Sequence, residues 1–201
     1  SSHALLSFFA FAAEAAPSAR EARRTVHYRL EIPAPATQWV HVTVTVARPR
    51  GLKTSLAMPA WTPGSYPVRD HARHVDELRA EDLRGRPLTV TRVDKQTWRI
   101  DHGVAGFRVH YRVFAGEPGV RTNFVDDRHA VLNGAGVFLY LVGETGRSAD
   151  VEVSLPGGWQ AHTALALYHA EIINKIGAMI GGITYGAKAS EADKHIKEAL
   201  K

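Results

Sequence analysis

The stretch Met58-Pro-Ala-Trp-Thr-Pro-Gly-Ser-Tyr-Pro-Val-Arg-Asp-His-Ala-Arg-His-Val75 gathers more groups able to do chemistry than any other part of the sequence. His71 and His74 stand three apart with Asp70 and Asp76 beside them, a donor set that suits a divalent metal if both rings reach one ion. Residues three apart on an extended chain face opposite sides, so such a site needs the segment to turn. Further ligands would have to come from His102, His110 or His129. Structural or solvent-exposed roles are the simpler reading of all these histidines. Asp126-Asp127 with Arg128 and His129 has the composition of a carboxylate pair for acid–base work, but a turn held by Asx hydrogen bonds and an Arg–Asp contact explains it better. Ser65 follows Gly64 without the strand, G-x-S-x-G and helix that set up a hydrolase nucleophile. Asn133-Gly134-Ala-Gly136 lacks the Lys-Ser/Thr of a phosphate loop. Its glycines are expected to supply backbone conformations closed to other residues.

Pro59, Pro63, Pro67, Gly64, Trp61 and Tyr66 together exclude a helix or a central strand from this stretch. An ordered connection is expected instead, pinned by the two large rings, which bury area at little entropic cost. Trp61, Tyr66, Arg69 and Asp70 are therefore the candidate surface for a substrate or a neighbouring domain. Arg69 has two roles open to it, contact with a peptide carboxylate or a pairing with Asp70 or Asp76. The structural pairing is the favoured one.

The elements that must hold this loop read as strands. Val26, Tyr28, Leu30 and Ile32 alternate with His27, Arg29 and Glu31, and Val40, Val42, Val44 and Val46 alternate with His41, Thr43 and Thr45. Both runs have the period of half-buried strands. Short strands follow over 52–58, 88–93 and 97–100, with 75–83 ambiguous between helix and strand. Phe107, Val109, Tyr111 and Val113 resume the alternation, Val137 to Val142 is continuous and apolar, and Val151 to Leu155 closes the series. Strands at this spacing, divided by Gly and Pro, predict an antiparallel β-sandwich over residues 25–165.

Composition narrows the class further. Of 201 residues, 45% are hydrophobic and 22% charged, the balance of an ordinary globular protein. The net charge of +5 comes from scattered arginines that alternate with apolar residues, which does not favour nucleic acid. Absence of cysteine excludes disulfides, thiolate zinc sites and a cysteine nucleophile. Ala4 to Ala13 is an apolar run too short to span a bilayer, followed by small residues and Pro17. Residues 1–24 therefore read as a signal-peptide remnant or a flexible segment, pointing to a periplasmic or secreted protein, with a cytoplasmic one as the alternative.

Usage changes abruptly near residue 165. All eighteen arginines lie at or before Arg147, whereas five of seven lysines and six of eight isoleucines come later. Ile172, Ile173, Ile176, Met179, Ile180 and Ile183 follow helical spacing, and Ser190 opens a second predicted helix over 192–200. Residues 166–201 are thus expected to form a C-terminal α-helical appendage of foreign origin, or else a native helical hairpin capping the sandwich.

The motif at Met58 to Val75 resembles the amino-terminal domain of the glycyl aminopeptidase family, which are PDZ-containing, thermolysin-like zinc metallopeptidases. Val93-Asp-Lys-Gln-Thr-Trp98, Val120-Arg-Thr-Asn-Phe124, Asp126 to Ala130, Leu132-Asn-Gly134, Phe138-Leu-Tyr140, Leu155-Pro-Gly-Gly-Trp159 and Thr163-Ala-Leu165 are similar to the blocks that follow it, in the same order. The resemblance implies a β-rich domain that precedes and supports a catalytic domain holding zinc on an H-E-x-x-H helix, and helps to position peptide substrates. No histidine here is followed by glutamate and no two histidines stand four apart. No catalytic residue, metal ligand or cofactor is therefore assigned to this chain, and no activity is expected of it alone. A partner catalytic domain and a peptide substrate are implied by the family. The rival reading is a peptide- or protein-binding assembly module that oligomerises through residues 166–201.

Overall fold

A computed structural model of the chain describes residues 25–61, 66–103, 105–119, 121–163, 167–168, 171–175 and 182–186, from residue 163 onward as backbone only. The expected signal segment 1–24, Ser65 and the second helix over 192–200 lie outside the described residues.

Alternation in sequence becomes alternation in burial. β1 (Val26–Glu31), β2 (Trp39–Val46) and β7 (Phe107–Phe114) send every second side chain into the core, while His27, Arg29, Thr43, Thr45, Arg108 and His110 line the outer face. β2 lies between β1 and β7, paired antiparallel with both. Between β2 and β7 come β3 (Lys53–Ala57), β4 (Val75–Asp82), β5 (Pro87–Arg92) and β6 (Thr97–Asp101), which settles the ambiguous 75–83 run as strand. After β7 follow β8 (Phe124–Val125), β9 (His129–Asn133), β10 (Tyr140–Leu141), β11 (Ser148–Ser154), β12 (Gln160–Thr163), β13 (Leu167–Tyr168), β14 (Glu171–Lys175) and β15 (Gly182–Gly186).

The expected pair of antiparallel sheets is not what forms. One mixed sheet runs β10-β3-β6-β5-β4-β7-β2-β1-β11-β14-β13, beside a smaller sheet β12-β15-β9-β8. β1 and β11 are parallel. β4 and β5 share only Ala80↔Leu88 and Glu81↔Pro87, so the large sheet bends there and curls into a half-barrel. Its two wings bury their inner faces in one core, where Val44, Val109 and Tyr28 meet Leu56, Trp98 and Ile100. Each fully buried side chain of this kind contributes about 1.5–3 kcal/mol.

Two further expectations fail for physical reasons. The apolar run Val137 to Val142 is not a strand buried on both faces. Only Tyr140–Leu141 pairs, and Val142 is exposed. Residues 137–139 are buried without a ladder because two buried tyrosines satisfy their backbone: Tyr28 Oη donates to Leu139 O at 2.7 Å, and Tyr111 Oη donates to Val137 O at 2.8 Å while accepting from Leu139 N at 3.1 Å. The helical appendage is the second correction, since the described residues at 171–175 and 182–186 are strands. β14 adds to β11, with Ile172 opposite Val151, and β15 bridges β12 and β9. β-Branched isoleucines favour the extended chain, Gly177, Gly181 and Gly182 weaken a helix, and β11 offers an edge to pair with.

The bend at β4–β5 has its own lock. Buried Asp82 accepts the backbone N–H groups of Arg84 and Arg86 on Oδ1, both at 2.9 Å, and Arg86 Nε on Oδ2 at 2.6 Å. The Arg86 N–H bond above all holds its carboxyl below the usual range, against the opposing push of burial. A carboxyl depressed in the folded state stabilises above its unfolded pKa and loses that contribution as pH falls through the folded one. Asp82→Asn should therefore lower the melting temperature clearly near neutral pH, with the gap to the parent closing in acid as the parent's Asp82 protonates. Melting curves across that range would show it, and a gap that does not change with pH would refute it.

Candidate functional site

The described residues of the motif before its turn, 58–61 and 66–70, form neither helix nor strand, as the composition predicts, but the rings of Trp61 and Tyr66 do not pin it by burial as expected. Met58 N donates to Gln96 O at 2.9 Å, and Arg69 N and Asp70 N both donate to Ala60 O, at 2.8 and 3.3 Å. The loop is thereby closed at its neck. Beyond it Asp70 takes the left-handed conformation (φ 54°), and the chain turns into a 3-10 turn, His71–His74. That is the turn which two histidines three apart require to approach each other.

The four candidate residues do not converge. Tyr66 stands fully in solvent, Trp61 is half-exposed at 48%, and Val68 between them and the turn is 65% exposed. Asp70 pairs with Lys95 at 3.1 Å. Asp76 pairs with Arg112 at 2.7 Å, and Arg112 lies over the Trp39 ring at 4.2 Å. Both carboxylates that sequence offered to Arg69 are held by other cations. Arg69 lines a cleft of about 200 Å³ together with His71, Arg73, His74, Glu117 and Asn123.

The electrostatics of this cleft are set by Arg73. Its Nη2 donates to both carboxylate oxygens of Glu117, at 3.0 and 3.1 Å, and its Nε donates to His74 Nε2 at 2.9 Å. A ring nitrogen that accepts an arginine N–H carries its lone pair, so His74 is the neutral tautomer with its proton on Nδ1. Burial lowers the His74 pKa first, Glu117 works against that, and Arg73 lowers it further. His71 is buried against the turn Gly134–Gly136, and its pKa is lowered by burial, then by His74, Arg69 and Arg73. Both imidazoles are therefore neutral near pH 7 beside two guanidinium groups.

Behind the cleft, Asn123 is fully engaged. Its Nδ2 donates to Gly136 O at 2.9 Å and its Oδ1 accepts Asn133 N at 2.8 Å. Gly136 is needed for close approach, because a Cβ there would sit 2.8 Å from Asn123 Nδ2 and 3.1 Å from His71 Nδ1. The expectation of a special backbone conformation fails at this position, since Gly136 is not among the described glycines with positive φ. Glu117, Thr122 and Asn123 were not legible as cleft residues. The one signal was the resemblance of Val120 to Phe124 to a family block.

The other chemical candidates are structural. Asp126 Oδ1 accepts the N–H groups of Arg128 and His129 at 2.8 Å each, the Asx turn that sequence favoured. Burial raises its pKa, but these bonds and the nearby His129 and Arg128 bring it below the usual value. His110 contacts Thr43 at 3.0 Å and Glu81 at 3.3 Å on the outer face, while His102 stacks on Phe107 and meets Thr54 at 2.9 Å. None of these joins His71 and His74.

Zinc does not fit these residues. Among the described residues no group of three or more histidines and carboxylates converges. In the cleft, moreover, His74 Nε2 is taken by Arg73, and two guanidinium groups would repel a cation.

A curled, mostly antiparallel β domain with a cationic cleft, and no converging metal ligands among its described residues, is the class of protein defined here. Residues 27–172 match the peptidase M61 N-terminal domain, and the chain belongs to that family. The resemblance to a metallopeptidase amino-terminal domain is thus borne out. No curated protein matches the chain. Among solved structures it resembles an aminopeptidase N family protein from Idiomarina loihiensis, at 22% identity and a TM-score of 0.75, covering 81% of this chain and 29% of that one. That likeness shows the fold. An M1 zinc metallopeptidase from Deinococcus radiodurans matches at 13% identity and a TM-score of 0.45, over 81% of this chain and 41% of the other. The chain thus spans well under half the length of either protein.

Proposed function

We propose that this chain is the non-catalytic amino-terminal domain of a zinc metallopeptidase, supporting a catalytic domain and helping to position peptide substrates on it. The observation that carries the reading is the exposure of the motif's large apolar side chains, Trp61, Tyr66 and Val68, beside a neck that is hydrogen-bonded shut. Exposed aromatics of this kind serve as anchors at protein interfaces. Membership of a peptidase amino-terminal family supports a catalytic domain as the partner, one that would bring the H-E-x-x-H motif this sequence lacks. The apolar run at residues 4–13 supports a periplasmic or secreted setting.

The test is direct binding. The chain, titrated into the catalytic domain of a peptidase of this family stripped of its own amino-terminal domain, should bind saturably. Trp61→Ala combined with Tyr66→Ala should weaken that binding about tenfold or more, the loss of a paired hot spot. Equal affinity of the parent and the double variant would remove the motif from the interface.

A further inference from the structure

We infer that Arg73, His74 and Glu117 form an acid-operated clasp, in which protonation of His74 takes Glu117 from Arg73 and releases the guanidinium. At neutral pH one relay ties the turn His71–His74 to the segment after β7. Arg73 Nε donates to His74 Nε2 at 2.9 Å, and Arg73 Nη2 donates to both oxygens of Glu117, at 3.0 and 3.1 Å. One link of this relay depends on a lone pair. His74 Nε2 can accept from Arg73 only while it carries no proton.

A proton on Nε2 turns that contact from attraction to repulsion. Two N–H groups, each on a cation, would face each other across 2.9 Å. An acceptor for the new N–H stands at hand, because Glu117 Oε1 lies 3.6 Å from the same ring nitrogen. The two cations are not equally free to move. The Arg73 side chain is 56% exposed and that of His74 only 17%. The arginine can swing into water at little cost, while the imidazole stays and closes on Glu117. In acid the edge of the motif therefore gains a guanidinium that Glu117 neutralises at higher pH.

The ionisable groups around His74 are Arg73 and His71 on its own turn, Arg69 before it and Glu117 beyond β7, while β7 itself brings the Phe114 ring at 6.5 Å. His71 is buried, and His74, Arg69 and Arg73 all oppose a charge on it before Glu117 counts. For His74, Glu117 is second only to burial, which makes it the imidazole placed to take the proton. Burial first and Arg73 after it outweigh Glu117, so the proton enters below the ~6.5 of a free imidazole. The unfolded chain binds it more readily there, so the clasp holds above that pH and loses stability as pH falls through it. No catalytic domain is needed, and the clasp therefore fails separately from the supporting role proposed above.

The 201-residue chain can be followed by nuclear magnetic resonance from about pH 8 to about pH 5, a window that brackets a free imidazole. The His74 ring nitrogens should pass from neutral to charged, and the Arg73 Nε–H signal should lose its hydrogen-bonded shift with the same midpoint. Arg86 Nε–H, held by Asp82 at 2.6 Å, should stay where it is. His74→Gln keeps an acceptor for Arg73 but cannot titrate, so the Arg73 signal should then be constant. Glu117→Gln, a change at a well-exposed pair, removes the carboxylate that draws the proton and should move the His74 midpoint to lower pH. An Arg73 signal that ignores the His74 titration, that titrates equally in His74→Gln, or that moves only together with Arg86 would overturn the inference. So would a His74 that stays neutral until the chain unfolds, or a midpoint that Glu117→Gln leaves unchanged.

Discussion

Tyr111→Phe is expected to destabilise the chain by about 2–4 kcal/mol, read as a lower urea midpoint with an unchanged slope. The hydroxyl sits in the fully buried core, where it donates to Val137 O and accepts from Leu139 N. Removing it leaves both backbone groups buried and unsatisfied, at about 1–3 kcal/mol each. Tyr28→Phe strands one acceptor, Leu139 O, and should cost about half as much. Burial raises both phenol pKa values, so neither tyrosine ionises near neutral pH and the effect should not depend on pH there. Indistinguishable midpoints for Tyr111→Phe and the parent would mean that the 137–139 run is held by apolar packing alone.

The same run shows what the sequence could and could not tell. Alternation at Val26 to Ile32, Val40 to Val46 and Phe107 to Val113 is a local signal, and those strands and their buried faces were legible residue by residue. Val137 to Leu141 was legible as buried but not as irregular, since its backbone partners are hydroxyls supplied from β1 and β7, far away in sequence. Ile172 and Ile173 were misread because helical spacing of isoleucines says nothing of the edge that β11 offers. At the motif, composition was enough to predict a connection in place of a helix or central strand, but not that Trp61 and Tyr66, expected to pin it by burial, stand exposed. It could not show that Asp70 and Asp76 are held by Lys95 and Arg112. The cleft was invisible for the same reason. It joins 67–74 to 114–123, with the 134–136 turn behind, and only folding puts them together.

That junction carries the second large effect. Gly136→Ala places a methyl group 2.8 Å from Asn123 Nδ2 and 3.1 Å from His71 Nδ1, and neither neighbour can withdraw cheaply. Asn123 is held at both ends, by Gly136 O and Asn133 N, and His71 is buried. Overpacking of this kind costs about 1–3 kcal/mol. If Asn123 is pushed off Gly136 O, the stranded carbonyl adds about 1–3 kcal/mol more. Gly146→Ala is the matched control, because nothing lies within 4 Å of its new methyl and its φ is not positive. That change should stay within about 0.5 kcal/mol of the parent. Equal unfolding midpoints for the two alanine variants would show that the turn yields freely. A large loss at Gly136 alone would show that the motif and the Asn123 segment are braced through this one position.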